Sequence, residues 1–200
     1  MADGTYEFLD EAELTDFPGL LAVSQFVRML TEVHWFAALG DRLDSREILL
    51  SEDYLLALGF PDARIAPAAD WEEATDAAAN PDWNTEWWEA EEQARVALVA
   101  EACRQADEET VMIALTHLQN QAIEAVLEPA KMAVEAGDVE DEVLTRAIAG
   151  AAAQSIYQAG LLLAAEDEND EHHVFALKYK LFELGRWPIG VVGNLSLIHL

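Results

Sequence analysis

Residues Arg146 to Glu166 read RAIAGAAAQSIYQAGLLLAAE, and between the two charged ends no residue carries a charge. Ala147, Ala151, Ser155 and Ala159 recur every four residues, a row of small side chains that lets a neighbouring backbone approach closely. Ile148, Ala152, Ile156, Gly160 and Ala164 follow the same spacing beside Tyr157, Leu161, Leu162 and Leu163. A helix apolar nearly all round belongs in a core. A membrane span is the competing reading, because the run approaches the ~20 residues a bilayer needs. Gln154, Ser155, Gln158 and the alanines lower its hydrophobicity, however, and no basic flank sets an orientation. The expectation is a buried central helix over about 140–166, with Glu140 to Glu142 at its electropositive start.

Outward from this helix, the pattern is helical in both directions. Downstream, an acidic knot from Glu166 to Glu171 leads into HHVFALKYKLFELG, a helix with Val174, Leu177, Leu181 and Leu184 inward, Lys178 and Lys180 late, and Gly185 at its end. Trp187 and Pro188 stop it. Ile189 to Val192 and Leu195 to Leu200 then flank Gly193 and Asn194, the spacing of a β-hairpin over about 189–199. Two strands alone are marginal, so they are expected to lie against the helices or to pair with a further strand.

Upstream, Gly137 and Asp138 break the chain. Before them, Val111, Leu115, Leu118, Ala122 and Val126 mark one helix face that Pro129 either kinks or divides. A turn near Gln105 to Glu108 precedes it. Thr85 is the expected cap of another helix, with Ala90, Ala94, Ala97 and Leu98 as its inner stripe. Residues 61–85 read as a proline-punctuated connection in which Ala68 to Ala79 form a short helical piece. Asp44 with Glu47 imitates a capping box for one or two helices ending at Gly59 and Pro61. Asp16 is the expected cap of a first helix running through Pro18, Val23, Phe26, Val27, Leu30, Val33 and Ala37 to Gly40. The fold class expected is mainly α: one domain over residues 1–200, six or seven helices around the central one, and a C-terminal hairpin.

The chain has 200 residues, with 39 Asp and Glu against 11 Lys and Arg, a net charge of −28. That balance excludes a nucleic-acid binder needing a basic face and disfavours anionic membranes. Spread over a surface of roughly 9,000 Å², the excess is one charge per ~330 Å², a spacing near ~18 Å. This exceeds the ~8 Å Debye length at physiological salt, so only local clusters act strongly. Cys103 is the single cysteine, which rules out an internal disulfide and suits a core-facing role. With an acidic rather than basic and apolar start, the chain is expected in the cytoplasm.

Two clusters and two histidines are candidate sites. Asp70 to Glu92 holds nine acidic residues and no basic one, together with Trp71, Trp83, Trp87 and Trp88 within eighteen residues. Four indoles offer about 800 Å² of mostly apolar surface, more than the ~300 to 600 Å² of a monomer's largest exposed patch, so some must be covered. One reading folds them onto the core to pin the connection. The other leaves one or two outside, ringed by Glu72, Glu73 and Glu89, as anchors for a basic protein.

The second cluster is Glu166 to His173, where Glu168, His172 and His173 offer oxygens and imidazoles to a divalent metal. The spacing fits no EF-hand, and neither HExxH nor Glu-x-x-His occurs. His34, and His117 on a face with Gln121, Glu124 and Glu128, could pair for acid and base catalysis; a solvated helix face explains the His117 line as well, and His34 borders an apolar stripe where a satisfied histidine is common. No phosphate loop, nucleophile elbow or paired CxxC occurs. The function expected is therefore a non-enzymatic, cofactor-free module that docks or neutralises a basic protein, inhibitor- or immunity-type, with a helical enzyme or a metal- or small-ligand-binding protein using His34, His117 or the Glu166–His173 cluster as the alternative. Acidity with three lysines is also what adaptation to high salt produces.

Overall fold

The computed structural model describes residues 13–79, 82–166, 170–192 and 197–199. Among them are seven α-helices: α1 (Pro18–Phe26), α2 (Ser45–Ala57), α3 (Trp71–Ala78), α4 (Thr85–Gln105), α5 (Glu108–Ala136), α6 (Glu142–Ala165) and α7 (Val174–Glu183). Three short strands accompany them: β1 (Arg64–Ala66), β2 (Val191–Val192) and β3 (Leu197–His199). The fold is mainly α, as the hydrophobic periodicity predicts.

The central helix is α6, with 14 of its 24 residues buried. It is long and apolar enough to cross a membrane, but 67% of its apolar window is buried inside the fold, with α1, α4, α5 and α7 packed around it. Its exposed stripe is Val143, Ala147, Gly150 and Gln154. The row Ala147, Ala151, Ser155, Ala159 therefore runs from solvent into the core instead of lying on one partner.

The second row carries the main contact. Leu144, Ile148, Ala152, Ile156, Gly160 and Ala164 are all buried, and so are Leu118, Ala122, Val126, Ala130 and Val134 of α5. Each helix thus turns its i±4 ridge inward. A Cβ on Gly160 would lie 2.0 Å from Leu118 Cδ2, so the leucine fills the space the glycine leaves. Counting outward from that contact in an antiparallel hairpin sets Ala122 against Ile156, Val126 against Ala152 and Ala130 against Ile148, large opposite small at each step. Pro129 sits inside the single helix Glu108–Ala136 without dividing it.

The first helix differs from its expected form. α1 ends at Phe26, a 3-10 segment Val27–Glu32 follows, Val33 is extended, and Phe36 takes a positive φ of 58°. Leu20, Val23, Phe26 and Leu30 are the buried positions. Asp16 does not cap the helix: the N-cap is Phe17, which has no side-chain acceptor. The cap comes from Glu166, whose Oε1 accepts the Gly19 N–H at 2.9 Å. Gly19 is required there, since a Cβ would stand 2.5 Å from the Leu163 carbonyl oxygen.

The short elements follow their local signals. The capping box at α2 is complete, with the Asp44 carboxylate accepting the Arg46 and Glu47 amides and Glu47 accepting the Asp44 amide. Asn84, not Thr85, caps α4. β2 and β3 pair antiparallel, and β3 also pairs parallel with β1, giving the order β1-β3-β2. The expected hairpin thus recruits a third strand from within residues 61–85; its turn, Gly193 and Asn194, lies outside the described residues. An aromatic series joins these parts, with Phe26 and Trp35 on Tyr179, Trp35 and Phe36 on Phe182, and Trp71 between Phe36 and Trp187.

Candidate functional site

The fold separates the four clustered tryptophans. Trp71 is 5% exposed, and its Nε1–H donates to the Ala133 carbonyl at 3.1 Å while the ring lies over Gly137. It pins α3 to the end of α5. Trp83 and Trp87 stack with centroids 6.1 Å apart and are half-buried. Trp83 lies on Gly190, the position with φ 149°, where a Cβ would clash with its ring. Only Trp88 of the four stands out, 66% exposed.

Eight of the nine acidic residues from Asp70 to Glu92 are exposed. Glu73 spends part of its carboxylate on the Ala69 amide, and Asp70 caps α3. Glu72 and Glu89 are exposed at the starts of α3 and α4. Glu92 holds Arg95 through two hydrogen bonds of 2.8 and 2.7 Å, which keep its carboxyl below the ordinary range.

The ninth, Glu91, is buried, and it marks the feature that sequence reasoning missed. Its carboxylate accepts from Lys178 Nζ at 2.8 and 2.9 Å, from the Tyr54 hydroxyl at 3.0 Å and from Gln158 Nε2 at 3.2 Å. One group thereby joins α2, α4, α6 and α7. Trp87 donates its indole N–H to the Tyr54 oxygen at 3.4 Å, so the half-buried aromatic pair is tied to the same network. Burial, and then the Glu91 charge, push the Tyr54 phenol well above its usual value. The expected stripe of α4 is therefore rotated: Glu91, Leu98 and Ala102 are buried, whereas Ala97 is exposed. Lys178, a late basic residue of α7, is the buried counter-ion.

A second buried pair supports the same corner. Arg186 is 2% exposed and donates to both Glu47 oxygens, at 2.9 and 3.3 Å, and to the carbonyls of Ala38, Asp41 and Arg42. All five guanidinium N–H donors are used. Glu47 is thus capping-box residue and buried counter-ion at once. The sequence signal available was the capping box; nothing local in Glu91, Lys178 or Arg186 announces burial.

No family model, curated protein or solved structure matches this chain.

The other candidates are dispersed. His34 is exposed, and its Nδ1–H donates to the Glu183 carbonyl at 3.2 Å. His117 is half-buried on α5. His173 caps α7, its Nδ1 accepting the Phe175 amide at 3.1 Å, and His172 is exposed in a 3-10 turn. Glu168 lies outside the described residues. Among those described, no group of three or more His, Cys, Asp or Glu could hold a metal. Cys103 is half-buried on α4.

Proposed function

We propose that the chain is a non-enzymatic docking protein, whose acidic, tryptophan-bearing face on α3 and α4 takes a basic protein partner as an inhibitor or immunity-type protein does. The observation that carries this reading is Trp88, two-thirds exposed on a helix whose Glu86, Glu89 and Glu92 face solvent. Covering the free part of an indole is worth about 3 kcal/mol, the size of a binding hot spot. The preceding residue, Trp87, is tied to Tyr54 and through it to Glu91, which fixes this turn of α4 to the bundle.

Charge supports a cationic partner. Among the described residues, Arg95, Arg104, Lys131, Arg146, Lys178 and Arg186 pair with carboxylates of this chain. The two buried pairs are neutral, so the whole excess of −28 belongs to the remaining groups. Such a field speeds encounter with a positive surface, while the indole supplies affinity.

The test is capture of partners from the native host's lysate by wild type and by Trp88→Ala, at low and moderate salt. A basic protein retained by wild type and lost by the variant is the expected result. Equal retention by both proteins contradicts the reading.

A further inference from the structure

We infer that α4 is a releasable strap, held to the bundle by the Glu91 latch more than by packing. This rests on the fold alone and not on the docking reading. Three of the 21 residues of α4 are buried, and one of the three is Glu91. In α6 the figure is 14 of 24, with no charged side chain among them. Along the second half of α4, Leu98 and Ala102 are buried, and Ala94, Leu98, Glu101 and Gln105 border a surface groove of about 390 Å³ beside Ala165 and His173. The closed seam is also imperfectly satisfied, because Gln158 presents Nε2 to Glu91 while its Oε1 is buried without a hydrogen-bond partner. Opening solvates Glu91, Lys178, Tyr54 and Gln158 together, which recovers desolvation that a dry interface would not return. The hairpin of α5 and α6 stays closed, because its contact does not include α4.

Hydrogen exchange of the full chain under native conditions, with thiol labelling of Cys103 as a second probe on α4, tests this. The expected result is that α4 amides and Cys103 open together at least tenfold more often than α6 amides. Glu91→Gln raises α4 opening at least tenfold further. Gly160→Val, which strains the α5 contact, lowers α6 protection and leaves α4 opening unchanged. Equal protection of α4 and α6, shifted together by Gly160→Val, overturns the inference. Should Glu91→Gln not fold, the double variant Glu91→Leu, Lys178→Met decides. It is expected to fold with α4 opening faster than in wild type and α6 unchanged, and opening no faster shows that the ion pair is not the latch.

Discussion

The two long contacts of α6 are built from opposite chemistry. Toward α5 it is dry, with Leu118 seated on Gly160 and apolar i±4 ridges buried on both helices. Toward α4 it meets the apolar Leu98 and Ala102 and, through Gln158, the buried Glu91 carboxylate, which Tyr54 of α2 and Lys178 of α7 also hold. Dispersion and apolar burial are non-directional and tolerate little opening, since any gap forfeits contacts. A buried ion pair gains little net stability, but its members cannot be separated singly without a large cost. The first contact therefore sets the fold, and the second positions a helix whose outer side bears Trp88.

The comparison breaks most sharply at the hub. Glu91→Ala leaves Lys178 charged and buried and is expected to lower unfolding stability by about 3–5 kcal/mol, read from denaturant titration. A loss below about 1 kcal/mol would mean that water already reaches the pair. On the dry side, Gly160→Val overfills the Leu118 contact and should cost about 1–3 kcal/mol. If it proves neutral, the α5 and α6 ridges are not packed as described.

Smaller effects sharpen the contrast. Glu166→Ala removes the long-range cap of α1 and should cost about 1 kcal/mol, whereas Asp16→Ala should cost far less, since Asp16 is not the cap. Alkaline pH reports on the hub through Tyr54. Its phenol is raised in the folded state, so above the ordinary value near 10 the unfolded chain loses the proton first, and stability falls as pH rises. Tyr54→Phe should remove that part of the alkaline slope in a pH series of unfolding titrations. Trp88→Ala should change stability by less than about 0.5 kcal/mol, because its ring is mostly in solvent.

What the sequence made legible follows from range. The central helix, the α5 stripe from Val111 to Val126, the capping box at Asp44 and the breaks at Gln105 and Gly137 depend on residues within a few turns of one another. The hub does not. Glu91 and Lys178 lie 87 residues apart, Glu47 and Arg186 139 apart, and Glu166 and Gly19 147 apart. A glutamate on an otherwise amphipathic helix carries no mark of burial until its partner folds against it. The turn after the first helical segment has a similar origin: Phe36 takes its positive φ where Gly185 packs against the chain, with Ala38 donating to the Gly185 carbonyl. For the candidate site, the coincidence of acid and indole was visible, but which indole stays outside was not, because Trp71, Trp83 and Trp87 are covered by segments distant in sequence.

The measurement that tests the central claim most directly is the association rate of a captured basic partner with wild type and with Trp88→Ala, across a series of salt concentrations. A wild-type rate that falls steeply with salt, together with a variant that associates at a similar rate but dissociates much faster, is the predicted result, with charge steering encounter and the indole holding the complex. A rate indifferent to salt, and a variant that dissociates as slowly as wild type, would contradict the assignment of function to this face of α4.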